Sequence, residues 1–187
     1  MTWNFLPDTV TPLPAAEHLE LLAAPTAEAI AAAQSAQSAD AAIDVFAIDP
    51  DLADTAALNE ALGLDPRYSA NCVLVAGTRG EDERIAACVV LAHTRADVNK
   101  RVRKLLDVRK ASFLPMDRAV GESGMEYGGI TPLGLPAHYR VLVDARVAQS
   151  DAIIIGSGIR GSKIVLSGAA LAAFPAAEVV EDLAVEV

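Results

Sequence analysis

The stretch Gly121–Gly134, GESGMEYGGITPLG, organises the rest of this chain, because it is unlike the interior of a helix or a strand. It holds five glycines in fourteen residues. Glycine costs backbone entropy inside regular elements and proline removes a donor, so the stretch predicts an ordered loop. At Gly128 and Gly129 such a loop can aim backbone N–H groups at an anion or a carbonyl oxygen. An ordinary connection between elements is the alternative interpretation.

A second glycine-rich stretch, GSGIRGSK, occupies residues 156–163. An apolar run precedes it at residues 152–155 and another follows it at residues 164–166. This order predicts a strand, a glycine turn and a second strand. We expect the turn at 156–161 and the loop at 128–134 to face one cavity. A plain hairpin with solvated Arg160 and Lys163 is the alternative.

The length of 187 residues predicts a single domain, or one domain with an added lobe. Apolar residues make up 52% of the chain, yet no run approaches the roughly 18 residues of a membrane helix. The first residues lack the basic and apolar regions of a signal peptide, so we expect a cytoplasmic protein. Cys72 and Cys88 lie in apolar runs and are expected to be free thiols. The cysteines and histidines match no zinc spacing, so no metal and no cofactor are expected.

The net charge of −10 conceals an uneven distribution of bases. Residues 1–66 contain no Lys or Arg, and every base falls between residues 67 and 166. A cluster in that region contains Lys100, Arg101, Arg103 and Lys104. One basic patch on an acidic protein can be the footprint of a nucleic acid, and a solvated helix face is the alternative.

Hydrophobic periodicity predicts strands and helices that alternate irregularly. In the N-terminal part, residues 1–40, we expect two helices that Pro25 separates, with Thr26 as the second N-cap. A helix is also expected from Ala96 to Asp107. The remaining expected elements are strands at 43–48, 71–76, 85–92, 111–114, 139–143 and 179–183, and helices at 55–62, 116–122 and 169–174. We therefore expect a mixed α/β fold, with a helical segment at 1–40 packed on one globular unit at 41–187.

No motif for a nucleophilic side chain is visible. No Gly-x-Ser-x-Gly elbow precedes a helix, and the P-loop and dinucleotide glycine patterns are absent. Acidic pairs such as Asp49 and Asp51 fall in polar turns, where solvation explains them. A site would therefore use loop amides, hydroxyls and a few bases. This suits chemistry in which the substrate supplies an activating group and the protein positions it.

Three stretches together resemble the YbaK family, which includes free-standing aminoacyl-tRNA deacylases and the editing domain of bacterial prolyl-tRNA synthetase. They are Asn71–Val75 (NCVLV), Gly128–Gly134 (GGITPLG) and Gly156–Ile164 (GSGIRGSKI), and the resemblance covers about residues 50–185. It implies a barrel-like, mostly antiparallel mixed β-sheet with outer helices. It also implies hydrolysis of a mischarged amino acid from tRNA, in which a ribose hydroxyl of the terminal adenosine helps to activate water.

The resemblance also implies which residues form the site. Gly128 and Gly129 would hold the reacting carbonyl. The substrate would contact Asn71, Thr131, Pro132, Gly134, Ser157, Gly158 and Lys163. Phosphates of the tRNA would contact Lys100, Arg101, Arg103 and Lys104. The implied partners are the acceptor end of an aminoacyl-tRNA and an aminoacyl-tRNA synthetase, with neither a membrane nor a metal.

One position departs from the family pattern. Asn71 stands where the family has a lysine that would attract the terminal phosphate. Asparagine keeps the hydrogen-bonding capacity and lacks the charge. Lys163 could replace that lysine only if the fold brings it near. The competing hypotheses are a catalytically weak or inactive relative that binds aminoacyl-tRNA, an aminoacyl ligand or a protein partner, and a purely structural module.

Overall fold

The computed structural model describes residues 3–36 and 42–187. Its strands are β1 (Leu13–Pro14), β2 (Ile43–Ala47), β3 (Ala70–Arg79), β4 (Asp82–Leu91), β5 (Thr94–Ala96), β6 (Ala111–Phe113), β7 (Tyr139–Asp144), β8 (Ile153–Gly156), β9 (Ser162–Leu166), β10 (Ala177–Val180) and β11 (Ala184–Glu186). Its α-helices are α1 (Ala24–Ala36), α2 (Thr55–Leu62), α3 (Arg103–Leu105), α4 (Met116–Ser123), α5 (Ala145–Ala148) and α6 (Gly168–Ala172). Helices therefore surround strands, as the sequence predicts.

The central element is the hairpin of β3 and β4. Gly80 has φ 64° and turns the chain, so that Ala70 pairs with Leu91 and Arg79 with Asp82. Strand β4 also pairs in parallel with β7, which pairs in parallel with β10, while β6 pairs with β3. The strand order is β10-β7-β4-β3-β6, which mixes parallel and antiparallel neighbours. The mixed α/β expectation is thereby confirmed.

A second sheet has the order β1-β2-β9-β8 and is antiparallel throughout. A single parallel bridge between Ser69 and Ile154 connects the start of β3 to β8. Strands β5 and β11 form a small antiparallel pair. Within the described ranges the strands pair as these separate sheets and do not close into a barrel.

The core explains why β4 is a continuous apolar run. Its residues Ala87 and Val89 belong to a cluster that also contains Val45 of β2 and Ile155 of β8, so the two large sheets pack face to face. The intervening residues of β4 point to the opposite face and pack with Leu106. A strand buried on both faces loses the alternating pattern of a half-exposed strand.

The outer face of the second sheet carries a further cluster. Phe46, Ile154 and Val165 pack there with Trp3 and Leu58. The molecule is therefore layered, with helices and turns covering both outer faces of two stacked sheets.

The start of α1 corrects one expectation. Pro25 lies in the first helical turn, where its missing N–H is not needed, so it begins the helix and does not separate two helices. In the described residues upstream of α1, the chain forms β1 and two short 3₁₀ turns, at Ala15–Glu17 and Leu19–Leu21. The Thr26 hydroxyl donates to the carbonyl oxygen of Leu133 at 3.3 Å and caps nothing. The expected helical segment at 1–40 includes residues 1–2 and 37–40, which lie outside the described residues.

The helix expected from Ala96 to Asp107 is also shorter and less regular than predicted. Ala96 pairs with Ala184 and so belongs to β5. The next turn, Val98–Val102, is π-helical, with the Val102 N–H donating to the Asp97 carbonyl oxygen at 2.9 Å. Helix α3 then spans only Arg103–Leu105. A non-local strand pairing overrides the local apolar spacing here.

Candidate functional site

A cavity of about 290 Å³ opens where the start of α2, the start of β3, the glycine loop and the β8–β9 turn meet. Both glycine-rich stretches contribute to it, as the sequence predicts. The lining residues are Asp51, Ala53, Asp54, Thr55, Ala70, Asn71, Cys72, Tyr127, Gly128, Ile130, Gly156, Arg160 and Lys163.

Local structure fixes the first wall of the cavity. The Asp54 carboxylate caps α2 by accepting from the N–H groups of Ala56 and Ala57 at 2.9 and 3.2 Å. This cap places Thr55 at the first helical position, where its hydroxyl donates to Asn71 Oδ1 at 2.7 Å. Because the amide oxygen of Asn71 is taken, its –NH₂ group is the part left to donate to a ligand.

Lys163 contributes a cation to the lining of the cavity. It lies on β9 beside Gly156 of β8, and only 5% of its surface is exposed. Its ammonium donates to the carbonyl oxygen of Ala53 at 2.7 Å. Burial lowers the pKa of Lys163 to about 8; the Asp54 carboxylate opposes this shift and the Arg160 guanidinium adds to it. The cavity therefore contains a lysine whose pKa lies well below the ordinary value for lysine.

Arg160 ties three segments together at the rim of the cavity. Its guanidinium donates to the carbonyl oxygens of Tyr127 at 3.2 Å and Pro50 at 2.8 Å. Its backbone N–H donates to Glu126 Oε2 at 2.6 Å. The glycine loop, the β8–β9 turn and the turn before α2 are thus held in one arrangement, which shapes the entrance.

The two glycines predicted to hold the carbonyl have different surroundings. Gly128 lines the cavity with φ 85°, a conformation that favours glycine. Gly129 lies behind it, with its N–H donating to the Glu126 carbonyl oxygen at 3.0 Å. A Cβ on Gly129 would lie 2.5 Å from the carbonyl oxygen of Ile159. The structure therefore makes Gly129 a packing contact between loop and turn, and its amide is already used.

Three other residues predicted for the site belong to the two glycine-rich stretches and help to hold them in place. Ser157 is fully buried, and its hydroxyl donates to the Ser162 carbonyl oxygen at 3.0 Å. Gly158 has φ 89° and packs against Ala23. Thr131 is fully buried, and among the residues described its hydroxyl is the buried side-chain oxygen without a hydrogen-bond partner. None of these three lines the cavity beside Asn71.

Pro132 and Gly134 do not line the cavity that contains Asn71. They line an apolar cavity of about 350 Å³ between α1 and the residues around Phe174. A Cβ on Gly134 would lie 2.2 Å from the carbonyl oxygen of Pro25, so this glycine allows α1 to approach the loop. The structure thus separates these two predicted residues from Asn71 and Lys163.

The basic cluster lies beyond the β3 wall. Arg101 donates to the carbonyl oxygen of Glu181 at 3.1 Å, and Arg103 to that of Asn99 at 2.8 Å. A second cavity, of about 650 Å³, is lined by Asn99, which precedes the cluster in sequence, and by Asn71 of β3. Asn71 is therefore a wall shared by both cavities. The four residues of the cluster are Lys100, Arg101, Arg103 and Lys104.

Sequence reasoning missed several lining residues. Thr55 carried a signal, since a helix start was predicted there, but nothing in the sequence pointed its hydroxyl at Asn71. Cys72 was expected to be a buried free thiol, and it is free, half-buried and part of the cavity wall. Burial raises the pKa of the Cys72 thiol well above its ordinary value, so the thiol stays neutral. Arg160 was interpreted only as a solvated turn residue.

Comparison with known proteins places this cavity in a family. The family model described as the aminoacyl-tRNA editing domain matches residues 49–174, which is more than half of the chain. The chain belongs to the aminoacyl-tRNA editing domain family. The matched range of this editing domain contains the complete lining of the cavity, from Asp51 to Lys163. Membership supports a role in aminoacyl-tRNA editing, as the sequence resemblance implied.

Solved structures share the fold of this editing domain. A hypothetical protein, APE2540, is 16% identical with a TM-score of 0.70, and the match covers 84% of this chain and 99% of that chain. A candidate trans-editing enzyme for prolyl-tRNA synthetase is 13% identical with a TM-score of 0.68, covering 91% and 98%. A candidate signal transduction protein from Marinobacter aquaeolei is 15% identical with a TM-score of 0.52, covering 85% of this chain and 31% of that one.

Across residues 3–36 and 42–187, no group of three or more His, Cys, Asp or Glu side chains is arranged to hold a metal ion. In the same described part of the chain, no helix has the length and apolar character needed to span a bilayer.

Proposed function

We propose that this protein hydrolyses mischarged aminoacyl-tRNA in the cytoplasm. One observation carries the proposal: within the matched editing domain, a single cavity joins the Asn71–Thr55 pair, the Lys163 ammonium and Gly128. The cavity offers hydrogen-bond donors and a cation to an aminoacylated nucleotide. In the reaction, a water oxygen attacks the ester carbonyl carbon, the ester C–O bond breaks, and the ribose hydroxyl and the free amino acid leave.

The activating group in this proposal belongs to the substrate. The Cys72 thiol is neutral, and the Thr55 hydroxyl donates to Asn71, so neither is prepared as a nucleophile. The Asp54 carboxylate is engaged in capping α2. A free ribose hydroxyl beside the ester would then help to activate the attacking water, while the cavity walls position the ester.

The body of the tRNA would contact the basic cluster at 100–104. Phosphate contacts position a nucleic acid without reading its sequence. Lys100, Arg103 and Lys104 are exposed, so their charges are accessible to a large partner. An aminoacyl-tRNA synthetase is a further proposed partner, since editing in trans follows the charging reaction.

The proposal is tested by incubating the protein with a panel of mischarged tRNAs and measuring the release of amino acid. We expect at least one to lose its amino acid about tenfold faster than in buffer, which corresponds to about 1.4 kcal/mol of barrier. The matched substrate is the same tRNA ending in 2′-deoxyadenosine. On that tRNA the protein should give no acceleration over buffer, because the positioned hydroxyl that helps to activate the water is missing. An equal rate on both tRNAs would exclude substrate assistance.

A binding-only role is the second candidate, and one observation favours it. Asn71 stands at the position of the family lysine, and its oxygen is held by Thr55 rather than presented to a ligand. In this case the protein would retain affinity for aminoacyl-tRNA or an aminoacyl ligand without turnover. The comparison of the parent with Asn71→Lys separates the two roles, because the variant should gain deacylation that the parent lacks.

A further inference from the structure

The buried ammonium of Lys163 lacks a counter-ion of its own. Its side chain is 5% exposed, and its hydrogen-bond acceptor is a neutral backbone carbonyl. Among the described residues, no carboxylate oxygen lies within 4.0 Å of it. A buried charge without an ion pair is costly, so an anionic ligand that pairs with it would offset that cost.

The charges around Lys163 show which kind of ligand would complete it. The cavity holds the cations Lys163 and Arg160 and the acids Asp51 and Asp54. Arg160 donates to two backbone carbonyls and Asp54 accepts from two backbone N–H groups, so each is partly engaged. The ammonium retains two further hydrogens, since it donates to Ala53 with only one. Both cations therefore retain donors for an anion, and Lys163 is the one whose charge is buried inside the cavity.

The fold brings this ammonium to the strand that bears Asn71. The parallel bridge between Ser69 and Ile154 holds the start of β3 against β8, and β8 pairs with β9, so that Gly156 lies beside Lys163. Asn71 and Lys163 consequently line one cavity although they lie far apart in the sequence. The –NH₂ group of Asn71 and the ammonium of Lys163 can both donate to a ligand placed in that cavity.

We infer that Lys163 is the phosphate-binding cation of this site and that Asn71 assists it as a neutral donor. The inference rests on the proposed function, because the phosphate meant is that of the terminal adenosine of the acceptor end. A lysine suits this task as a compact charge that does not demand a planar partner. The positive charge of the site then comes from β9 rather than from β3.

The experiment measures the binding of adenosine 5′-monophosphate and of adenosine by isothermal titration calorimetry at pH 7. The two probes differ by the phosphate, and neither requires turnover. We expect the parent to bind the monophosphate about ten- to a hundredfold more tightly, since a hydrogen bond to a charged group contributes that much. In Lys163→Met the preference should disappear, while the affinity for adenosine stays within about twofold.

Lys110→Met is the matched control, because it removes one exposed lysine outside the cavity. It should retain the preference. A parent without any preference for the monophosphate would overturn the inference, and so would a preference that survives in folded Lys163→Met. Deacylation is scored separately, so loss of turnover in the parent overturns the proposed function and not the phosphate site.

The pH dependence of the parent provides a test that needs no variant. Because the pKa of Lys163 is about 8, its charge is present at pH 7 and declines as the pH rises, although a bound phosphate raises the pKa. The charged and titratable groups that line the cavity with it are Asp51, Asp54, Cys72, Tyr127 and Arg160. We expect the preference for the monophosphate to fall at least about tenfold between about pH 7 and pH 10. A constant preference would contradict the assignment.

Discussion

At the scale of single residues, Lys163 links stability to pH. Its folded pKa of about 8 lies below the ordinary value of 10.5, so between these values the unfolded chain binds the additional proton. Stability rises with pH wherever the unfolded state binds more protons, so the Lys163 term becomes more favourable from about pH 8 to 10.5. Below pH 8 both states are protonated and the term is constant. The charged form of Lys163 thus lowers the free energy of unfolding, and deprotonation removes this destabilisation.

We predict that the parent gains about 2 kcal/mol of unfolding free energy relative to Lys163→Met between pH 7 and pH 9.5. Urea unfolding of both proteins at the two pH values measures this difference. The comparison is needed because Cys72 and Cys88 have raised pKa values and destabilise both proteins alike above pH 9. A pH-independent difference would show that Lys163 titrates normally and is not buried as a cation.

The residue scale also shows what the sequence could reveal. Asn71 and Gly128 were identified from motifs, and both line the cavity. The partner of Asn71 was not identifiable, because Thr55 reaches it only through the packing of α2 against β3. Gly129 was recognised as special from its sequence context, but the reason is contact with Ile159. A glycine motif alone does not distinguish a glycine beside a ligand from one beside another backbone.

At the scale of elements, the cavity depends on the contact between the glycine loop and the β8–β9 turn. A Cβ on Gly156 would lie 2.4 Å from the carbonyl oxygen of Gly129 and 2.7 Å from that of Ile130. Backbone atoms cannot yield as a flexible side chain can, so the two elements must separate. Gly161, in the same turn, has no atom within 4 Å of the equivalent position.

We therefore predict that Gly156→Ala lowers the unfolding free energy by about 1–3 kcal/mol, the usual cost of overpacking. The control Gly161→Ala should change it by less than about 1 kcal/mol, since the new methyl group meets open space. Chemical denaturation of the two variants and the parent measures both effects. Equal stabilities would mean that the loop and the turn are not in the described contact.

The boundaries of an element were predictable where a local sequence signal marks its first or last residue. The helix after Asp54 was predicted from its cap and from Gly63, and the structure has both, with Gly63 at φ 64°. The segment from Ala96 was predicted wrongly as a long helix. Its apolar spacing is helical, but Ala96 pairs with the distant Ala184. Pairing between residues so far apart in sequence leaves no local pattern.

At the scale of the whole molecule, the uneven distribution of charge bears on the proposed binding of tRNA. The chain carries a net charge of −10, so the acidic remainder would repel an anionic partner. Such a partner would therefore contact the basic cluster. The mixed sheet was predictable because the elements alternate irregularly in sequence. The stacking of two sheets, which brings β9 to β3, was not, because it depends on long-range pairing.

We predict that Lys100→Glu combined with Lys104→Glu weakens tRNA binding and flattens its dependence on salt. Removing one phosphate contact reduces the slope of log affinity against log salt by about 0.9 on a duplex. Binding measured from about 50 to 200 mM salt gives the slope directly. Arg67→Glu with Arg79→Glu is a control with the same charge change at exposed sites outside the cluster. If the two double variants show the same affinity for tRNA and the same salt slope, the effect comes from net charge and not from the cluster.

The central claim is that the cavity of Asn71 and Lys163 deacylates mischarged tRNA. The most direct measurement is single-turnover release of amino acid from the best tRNA of the panel, for the parent and for the double variant Asn71→Ala with Lys163→Met. We predict that the parent exceeds the spontaneous rate at least about tenfold and that the folded double variant returns to it. The claim is contradicted if the double variant is as active as the parent. It is also contradicted if the parent deacylates no tRNA of the panel faster than buffer does.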